Sequence, residues 1–589
     1  MSTNPKPYKF FTLIPIKYLA MLSLLAIISS LTPFISFWGL SKVVDRVSGL
    51  AAGTDVFIYI IMIGVFLVTN DTFEAIRWTY STYLEGKIFL ELKGKLLSKV
   101  SSWPYIDIFE NPQFLNRLSL ADQSIPRFHG FFNSLAMLVS GILGSIPFLW
   151  IGFTTRWWVP AALIAAFLPS LIIKWNLEER LWSLEIQNGE EYKEAAVQES
   201  ILLSPAFAKE IRLWNSSFFI LNRWKKNRIK LLNQTAALRN KSMLSALFAN
   251  IFEGLVDCSV IAYLYILLMH KELSTGNFVF AITAVTQLRQ NAFTVLLFGL
   301  DINIAFKRLK PFFEIINAED KKNIPEKTTL LIQNKKEAYI SLKNVFFSYP
   351  ECDKKVLKNI NFDIQKNEKI AIVGANGSGK TTLVKLISGM YPVIEGSYIF
   401  NGTDSNKIPP CELRKAFTAV YQDFARFPMT FKENVCISES ENLNIDDEYE
   451  ERFMMLCNRF PILNSALTSS SLLTRQFEDG IELSGGEWQR VALMRCAWAD
   501  REVVLLDEPT AALDPDSEHA VFDAMLDIMK NKTAIIVTHR LALCRKADKI
   551  IVMDNGEIIE TGTHTALIKK DGRYAQMYKK QGEHYADIL

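Results

Sequence analysis

Hydrophobic positions follow two regimes along this chain. Through residue 300 they come in runs long enough for a bilayer. Beyond it they come in short runs of strand length, separated by polar and glycine-containing turns. A membrane-spanning helix needs about 20 apolar residues, and the stretches 18–40, 128–153, 157–175, 243–269 and 276–300 qualify. A shorter run, 56–69, continues through Phe73, Ile76 and Trp78 with polar residues between them, as a helix does when one face meets protein or water. The pattern predicts an all-α amino-terminal domain of six spans, at about 18–40, 56–78, 128–153, 157–175, 243–269 and 276–300. The first 16 residues hold Pro5, Pro7 and Pro15 and no A-x-A-like cleavage site, so the first span is expected to be retained as a membrane helix.

The two connections 78–127 and 176–242 are long and polar, and the other three are short. The second of them alone carries eleven Lys and Arg, whereas the opposite side carries only Lys42, Arg46, Arg156 and Lys271. Positive charge gathers on the cytosolic side, so both long connections and both termini are expected there. Each is broken by a short segment with proline at turn or first-helical positions, at about 103–114 (Pro104, Pro112) and 204–214 (Pro205). Charges within spans are costly and so mark candidate functional positions. Glu253 and Asp257 lie four apart on one helix face, and Arg289 lies at a matching depth in the last span. These three are candidates for a substrate path, as an ion pair or as the lining of a wet cavity.

The second half reads as an α/β protein. The segment 374–381, Gly-Ala-Asn-Gly-Ser-Gly-Lys-Thr, fits GxxxxGK[ST] in full, after an apolar strand and before a helical pattern. Gly374, Ala375, Asn376, Gly377, Ser378 and Gly379 are expected to wrap phosphate with backbone N–H groups. Lys380 is expected to reach the β- and γ-phosphates, Thr381 to hold Mg²⁺, and Thr382 to continue the site. The run 502–508 is an apolar strand that ends in two acids. Asp507 is expected to hold Mg²⁺ and Glu508 to act as general base on the attacking water.

With these motifs on the page, the chain resembles the ABC transporter family. Leu483-Ser-Gly-Gly-Glu487 is similar to that family's signature motif, with Glu487 where Gln is usual. The resemblance implies further roles: Tyr349 stacking on adenine, Gln422 sensing Mg²⁺ and the γ-phosphate, Asp514 in the D-loop, and His539 as the switch histidine. It also implies that Ser484, Gly485 and Gly486 contact the nucleotide of a second cassette. A chain with one cassette then needs a partner, a second copy of itself in a homodimer or a related chain in a heterodimer. The segments 103–114 and 204–214 resemble coupling helices. The implied organisation is a transmembrane domain of the exporter type over 1–306, a linker over 307–338 and a P-loop ATPase cassette with a helical subdomain over 339–589.

The implied activity is ATP hydrolysis, with ATP and Mg²⁺, driving alternating access and export. The setting is a bacterial plasma membrane, with the ATPase in the cytosol. The stretches 421–434 and 208–214 are similar to bacterial exporters of lantibiotic-type antimicrobial peptides, which makes a modified peptide the expected cargo. No cysteine-peptidase-like domain is expected before the spans, so removal of any leader from a peptide cargo is expected to fall to another enzyme. A lipid or multidrug flippase, and an ATP-gated channel or regulator, are the other classes. Composition narrows the rest. A net charge of +3 gives no argument for nucleic acid. Cys258, Cys352, Cys411, Cys436, Cys457, Cys496 and Cys544 form no CxxC pair and are expected to be reduced thiols.

Overall fold

The computed structural model of the chain describes residues 16–49, 56–126, 130–318, 338–442, 447–462, 467–508, 515–539 and 544–586. The chain divides into two compact units. One comprises Met1–Lys99 with Arg117–Asn317, and the other Val100–Asn116 with Ala318–Leu589.

The first unit is helical. Its elements are α1 (Ile16–Val47), α2 (Val56–Ser101), α3 (Pro112–Ser124), α4 (Phe131–Thr155), α5 (Trp158–Gln187), α6 (Gly189–Leu203), α7 (Ala208–Leu213), α8 (Ser217–Met269) and α9 (Thr275–Ile316). Among the described residues, α1, α2, α4, α5 and α8 contain stretches long and apolar enough to cross a membrane. The expected sixth span lies in α9, outside that set; Gln287, Arg289, Gln290 and Asn291 interrupt its apolar run. The helices outrun their apolar stretches. α2 has 46 residues and α8 has 53, so much of each long polar connection is helix continued from a span. α9 likewise runs to Ile316, past the expected boundary at 306; residues 319–337 of the expected linker lie outside the described ones.

The membrane helices sort into two groups. α1, α4 and α9 pack along much of their lengths, and α5 packs chiefly on α8. Small residues permit the first set of contacts. A Cβ on Gly144 of α4 would lie 3.2 Å from the Asn291 side chain of α9. Phe34, Phe148 and Phe280, one from each helix, meet with ring centroids 5.7 to 6.2 Å apart.

The second unit holds two sheets. An antiparallel one has the order β2 (Leu357–Ile364), β1 (Ile340–Phe347), β4 (Glu395–Phe400), β5 (Thr403–Asp404). The larger has the order β10 (Glu557–Gly562), β9 (Lys549–Asp554), β3 (Lys369–Gly374), β8 (Thr533–Val537), β7 (Val503–Asp507), β6 (Phe417–Val420). It is parallel except at the β9–β10 pair. β7 and β8 are buried at every position, which is why they read as unbroken apolar runs. α10 (Lys380–Ile387) packs on one face of this sheet, and α11 (Pro410–Arg414) lies against β6. Helices α12 (Phe431–Cys436), α13 (Asp447–Arg459) and α14 (Gly485–Ala499) share a core in which Trp488 and Trp498 are fully buried.

Between the two sheets, Tyr398 is buried and its hydroxyl donates to the Ile387 carbonyl at 2.8 Å. Tyr398→Phe is expected to destabilise the cassette by about 1 kcal/mol, because a buried acceptor loses its donor. Thermal unfolding of the purified chain measures it.

Candidate nucleotide site

β3 ends at Gly374, and the loop that follows turns into α10. Gly374 has no room for a side chain, since a Cβ there would lie 2.2 Å from the Met553 carbonyl. Gly379 caps α10 at φ +97°, a conformation that glycine adopts freely. The loop therefore presents backbone N–H groups at a helix start, the arrangement that binds phosphate. Lys380 is buried, and its ammonium donates to the carbonyls of Gly374 and Ala375 at 3.0 Å each. Burial lowers its pKa, and the negative charges of Glu508 and Asp507 oppose that shift.

The parallel strands bring the acids beside this loop. Asp507, the last residue of β7, is 1% exposed, and burial pushes its pKa up. Among the described residues, neither of its oxygens has a hydrogen-bond partner of good geometry, and the Thr381 hydroxyl and the Lys380 charge support the carboxylate. The Ser378 hydroxyl is also buried without a partner among the described residues. An orphaned carboxylate beside a Thr hydroxyl suits a hard divalent cation with oxygen ligands, and the buried ammonium and helix start suit polyphosphate. The residues present thus fit both groups.

Glu508 sits one residue beyond β7 at φ +48°, its N–H donating to Val537 at 2.9 Å. Its Oε1 lies 2.5 Å from His539 Nε2, at the end of β8. Gln422 follows β6, the strand next to β7, and is exposed. Tyr349 reaches the start of α10, its hydroxyl 2.8 Å from that of Thr382. The phosphate loop, Asp507, Glu508, His539 and Tyr349 therefore cluster at one end of the sheet, where ligands of such folds bind. Asn376 and Gly377 lie within the loop, and Asp514 lies outside the described residues.

The signature residues stand apart. Among the described residues no hydrogen bond or ion pair joins Ser484, Gly485, Gly486 or Glu487 to the phosphate loop. Ser484 caps α14 in a reciprocal pair. The Glu487 N–H donates to its hydroxyl at 3.3 Å, and the Glu487 carboxylate accepts from the Ser484 N–H at 2.8 Å.

Two features escape sequence reading. The first is Tyr391, 2% exposed and packed against Phe347 and Tyr349 at centroid distances of 5.0 and 5.7 Å. Its hydroxyl donates to the Glu110 carboxylate, in the short helical turn Ile106–Glu110. The same segment is held by Ile106 N–H on the Met390 carbonyl (3.0 Å), by Arg414 on Pro104 (2.5 Å) and by Asn111 on Glu351 (2.9 Å). The second is Arg495 of α14, which donates to the Asn434 carbonyl (2.9 Å), the Asn434 side chain (2.5 Å) and Ala425 (2.7 Å). Burial brings its pKa down to about 10. It ties the segment after Gln422 to the signature helix. A charged residue on an otherwise apolar helix face was its only sequence signal.

A P-loop ATPase joined to a domain of membrane-length helices is the class these features define. The sequence profile of the ABC transporter family matches residues 357–511. The chain is 27% identical to the subtilin transport ATP-binding protein SpaT of Bacillus subtilis, over 100% of this chain and 95% of that one. It is 26% identical to the nisin transport ATP-binding protein NisT of Lactococcus lactis subsp. lactis, over 99% and 97%. The ATP-dependent lipid A-core flippase of Escherichia coli (strain K12) is 33% identical over 48% of each chain. A bacterial Atm1-family ABC exporter with ATP bound matches in fold with a TM-score of 0.76 at 20% identity, over 96% of this chain and 98% of that one. The carboxyl-terminal unit carries an ABC transporter ATP-binding domain, the chain has the fold of an ABC exporter, and its activity is ATP-driven export.

Glu487→Gln preserves the reciprocal cap and is expected to leave stability within about 0.5 kcal/mol of the parent. Glu487→Ala loses half of the cap and is expected to destabilise α14 by about 1 kcal/mol. Thermal unfolding of the two variants side by side checks the difference.

Proposed function

We propose that the chain exports a peptide across the membrane as a homodimer, with two nucleotides held at the seam between cassettes. The observation that carries the cargo class is the end-to-end match to the subtilin and nisin transport proteins, against a match to lipid A-core flippases over about half the chain. That second match favours a lipid as the alternative cargo.

In this reading Gly374 to Gly379 and Lys380 hold the phosphates, with Thr382 beside them. Tyr349 stacks on the base. Thr381, Asp507 and Gln422 hold Mg²⁺, which would screen the phosphate charge when bound. Glu508 takes a proton from the attacking water, and its placement 2.5 Å from His539 supports a paired arrangement of base and switch histidine. Ser484, Gly485 and Gly486 reach the nucleotide of the other copy, with Asp514 in the seam. Glu253, Asp257 and Arg289 line the path for cargo. ATP closes the dimer only if it binds the closed state better than the open one.

Tyr391 and Glu110 give this reading a coupling contact. The tyrosine touches Tyr349 on one side and the cytosolic segment 103–114 on the other. Nucleotide occupancy at Tyr349 can thereby bear on that segment.

The test is transport of peptide into inverted vesicles containing the purified chain, compared with lipid flipping in the same vesicles. Glu508→Gln is expected to bind ATP while turnover falls about 10²-fold or more. Turnover close to the parent's would remove the assignment of the base. Tyr391→Phe is expected to retain basal hydrolysis within a few-fold while cargo-stimulated hydrolysis falls further. An equal fall in both rates counts against the coupling contact.

A further inference from the structure

Within the membrane unit, between the α5/α8 pair and the α1/α4/α9 group, lies a cavity of about 400 Å³. That volume falls in the range of roughly 300–1,000 Å³ that accommodates ligands. Ile146 and Leu149 of α4, Leu163 and Phe167 of α5, and Leu288 and Leu296 of α9 give it an apolar lining. α8 contributes two residues to the wall, Glu253 and Asp257, both carboxylates.

One cation, Arg289, lies in the wall among the described residues. Its Nε is 3.3 Å from Glu253, and a terminal nitrogen is 3.3 Å from Asp257. The Ser170 hydroxyl donates to the other oxygen of Glu253 at 3.4 Å. Lys174, the next cation on α5, is outside the wall, with its ammonium 4.1 Å from the centroid of the Phe293 ring and near enough for its charge to act on Glu253 from behind the wall. The wall itself therefore holds two carboxylates and one guanidinium. The acid side chains are 8% and 13% exposed, whereas that of Arg289 is 53% exposed. The negative groups are embedded and the positive one reaches them from an open side.

We infer that this cavity takes a cationic amphiphile, a primary amine or guanidinium joined to apolar groups, such as a basic side chain flanked by apolar ones in a peptide. This deepens the peptide-export reading and rests on it. The ammonium lies against Asp257 and Glu253, sharing them with Arg289 or displacing it, and the apolar part fills the space between α4, α5 and α9. Desolvation inside an apolar wall strengthens such a pairing and penalises an unpaired ion. A phosphorylated lipid headgroup would bring further negative charge to a wall whose one guanidinium is already shared.

The test uses full-length protein in phosphatidylcholine nanodiscs, with empty nanodiscs as the blank. The probes are dansyl-Leu-Leu-Lys amide, its norleucine isostere and its Glu counterpart. The cationic probe is expected to bind the parent about ten-fold more tightly than the neutral one, and the anionic probe least. Asp257→Asn is expected to bring the cationic preference to about two-fold or less, and Asp257→Glu to keep most of it. Equal binding of cationic and neutral probes to the parent overturns the proposal, and that comparison needs no variant to fold. A preference undiminished in a folded Asp257→Asn, monodisperse and able to bind ATP, overturns it as well. Peptide transport without charge preference would sink this inference and leave peptide export standing. Lipid flipping without peptide transport would sink the export reading itself.

Discussion

A lysine and an aspartate are buried side by side at the carboxyl ends of β3 and β7, and neither is fully compensated by the protein. Among the described residues, the Lys380 ammonium donates to two loop carbonyls and the Asp507 oxygens have no hydrogen-bond partner of good geometry. Lys380 and the acids Asp507 and Glu508 compensate one another in part, and burial still penalises the charged forms of Lys380 and Asp507. The site is thus built for occupancy. A polyphosphate would relieve the ammonium and a divalent cation would relieve the carboxylate, and the parallel order β3–β8–β7 sets Lys380 and Asp507 at the same end of the sheet as Glu508 and His539.

The same unit holds contacts that reach outward from the site. Tyr391 joins the ring of Tyr349 to Glu110. Arg495 fastens the segment after Gln422 to the helix that begins with the signature residues. Burial lowers the pKa of the Arg495 guanidinium to about 10, yet three acceptors surround it, so it serves as a fixed clasp. Glu487, unusual at its position, keeps a structural task as the reciprocal partner of Ser484.

Much of this was legible in the sequence. The phosphate loop and the Asp507–Glu508 strand end are contiguous motifs, and their chemistry is bound to local order along the chain. Charges within spans also stood out, because a bilayer makes them costly wherever they lie; Arg289 does meet Asp257, and it meets Glu253 as well. The Tyr391–Glu110 bond was not legible, since its partners are 281 residues apart and Tyr391 belongs to no motif. Helix lengths were underestimated because hydropathy marks where a helix meets lipid and says nothing of where its hydrogen bonds continue into water. α2 and α8 both extend in this way.

α2 and α8 differ from the other membrane-length helices in one respect. α1, α4, α5 and α9 each contain an internal proline, Pro33, Pro147, Pro169 and Pro311, whereas the 46 residues of α2 and the 53 of α8 contain none. At about 1.5 Å per residue α8, the longer of the two, is a bar of roughly 80 Å. An unkinked bar turns a small rotation at one end into a large sweep at the other: a tilt of about 5° moves the far end by about 7 Å, from the same rise per residue. Glu253 and Asp257 ride on that bar, so angular leverage can draw two acids across a cavity with no change in their local structure.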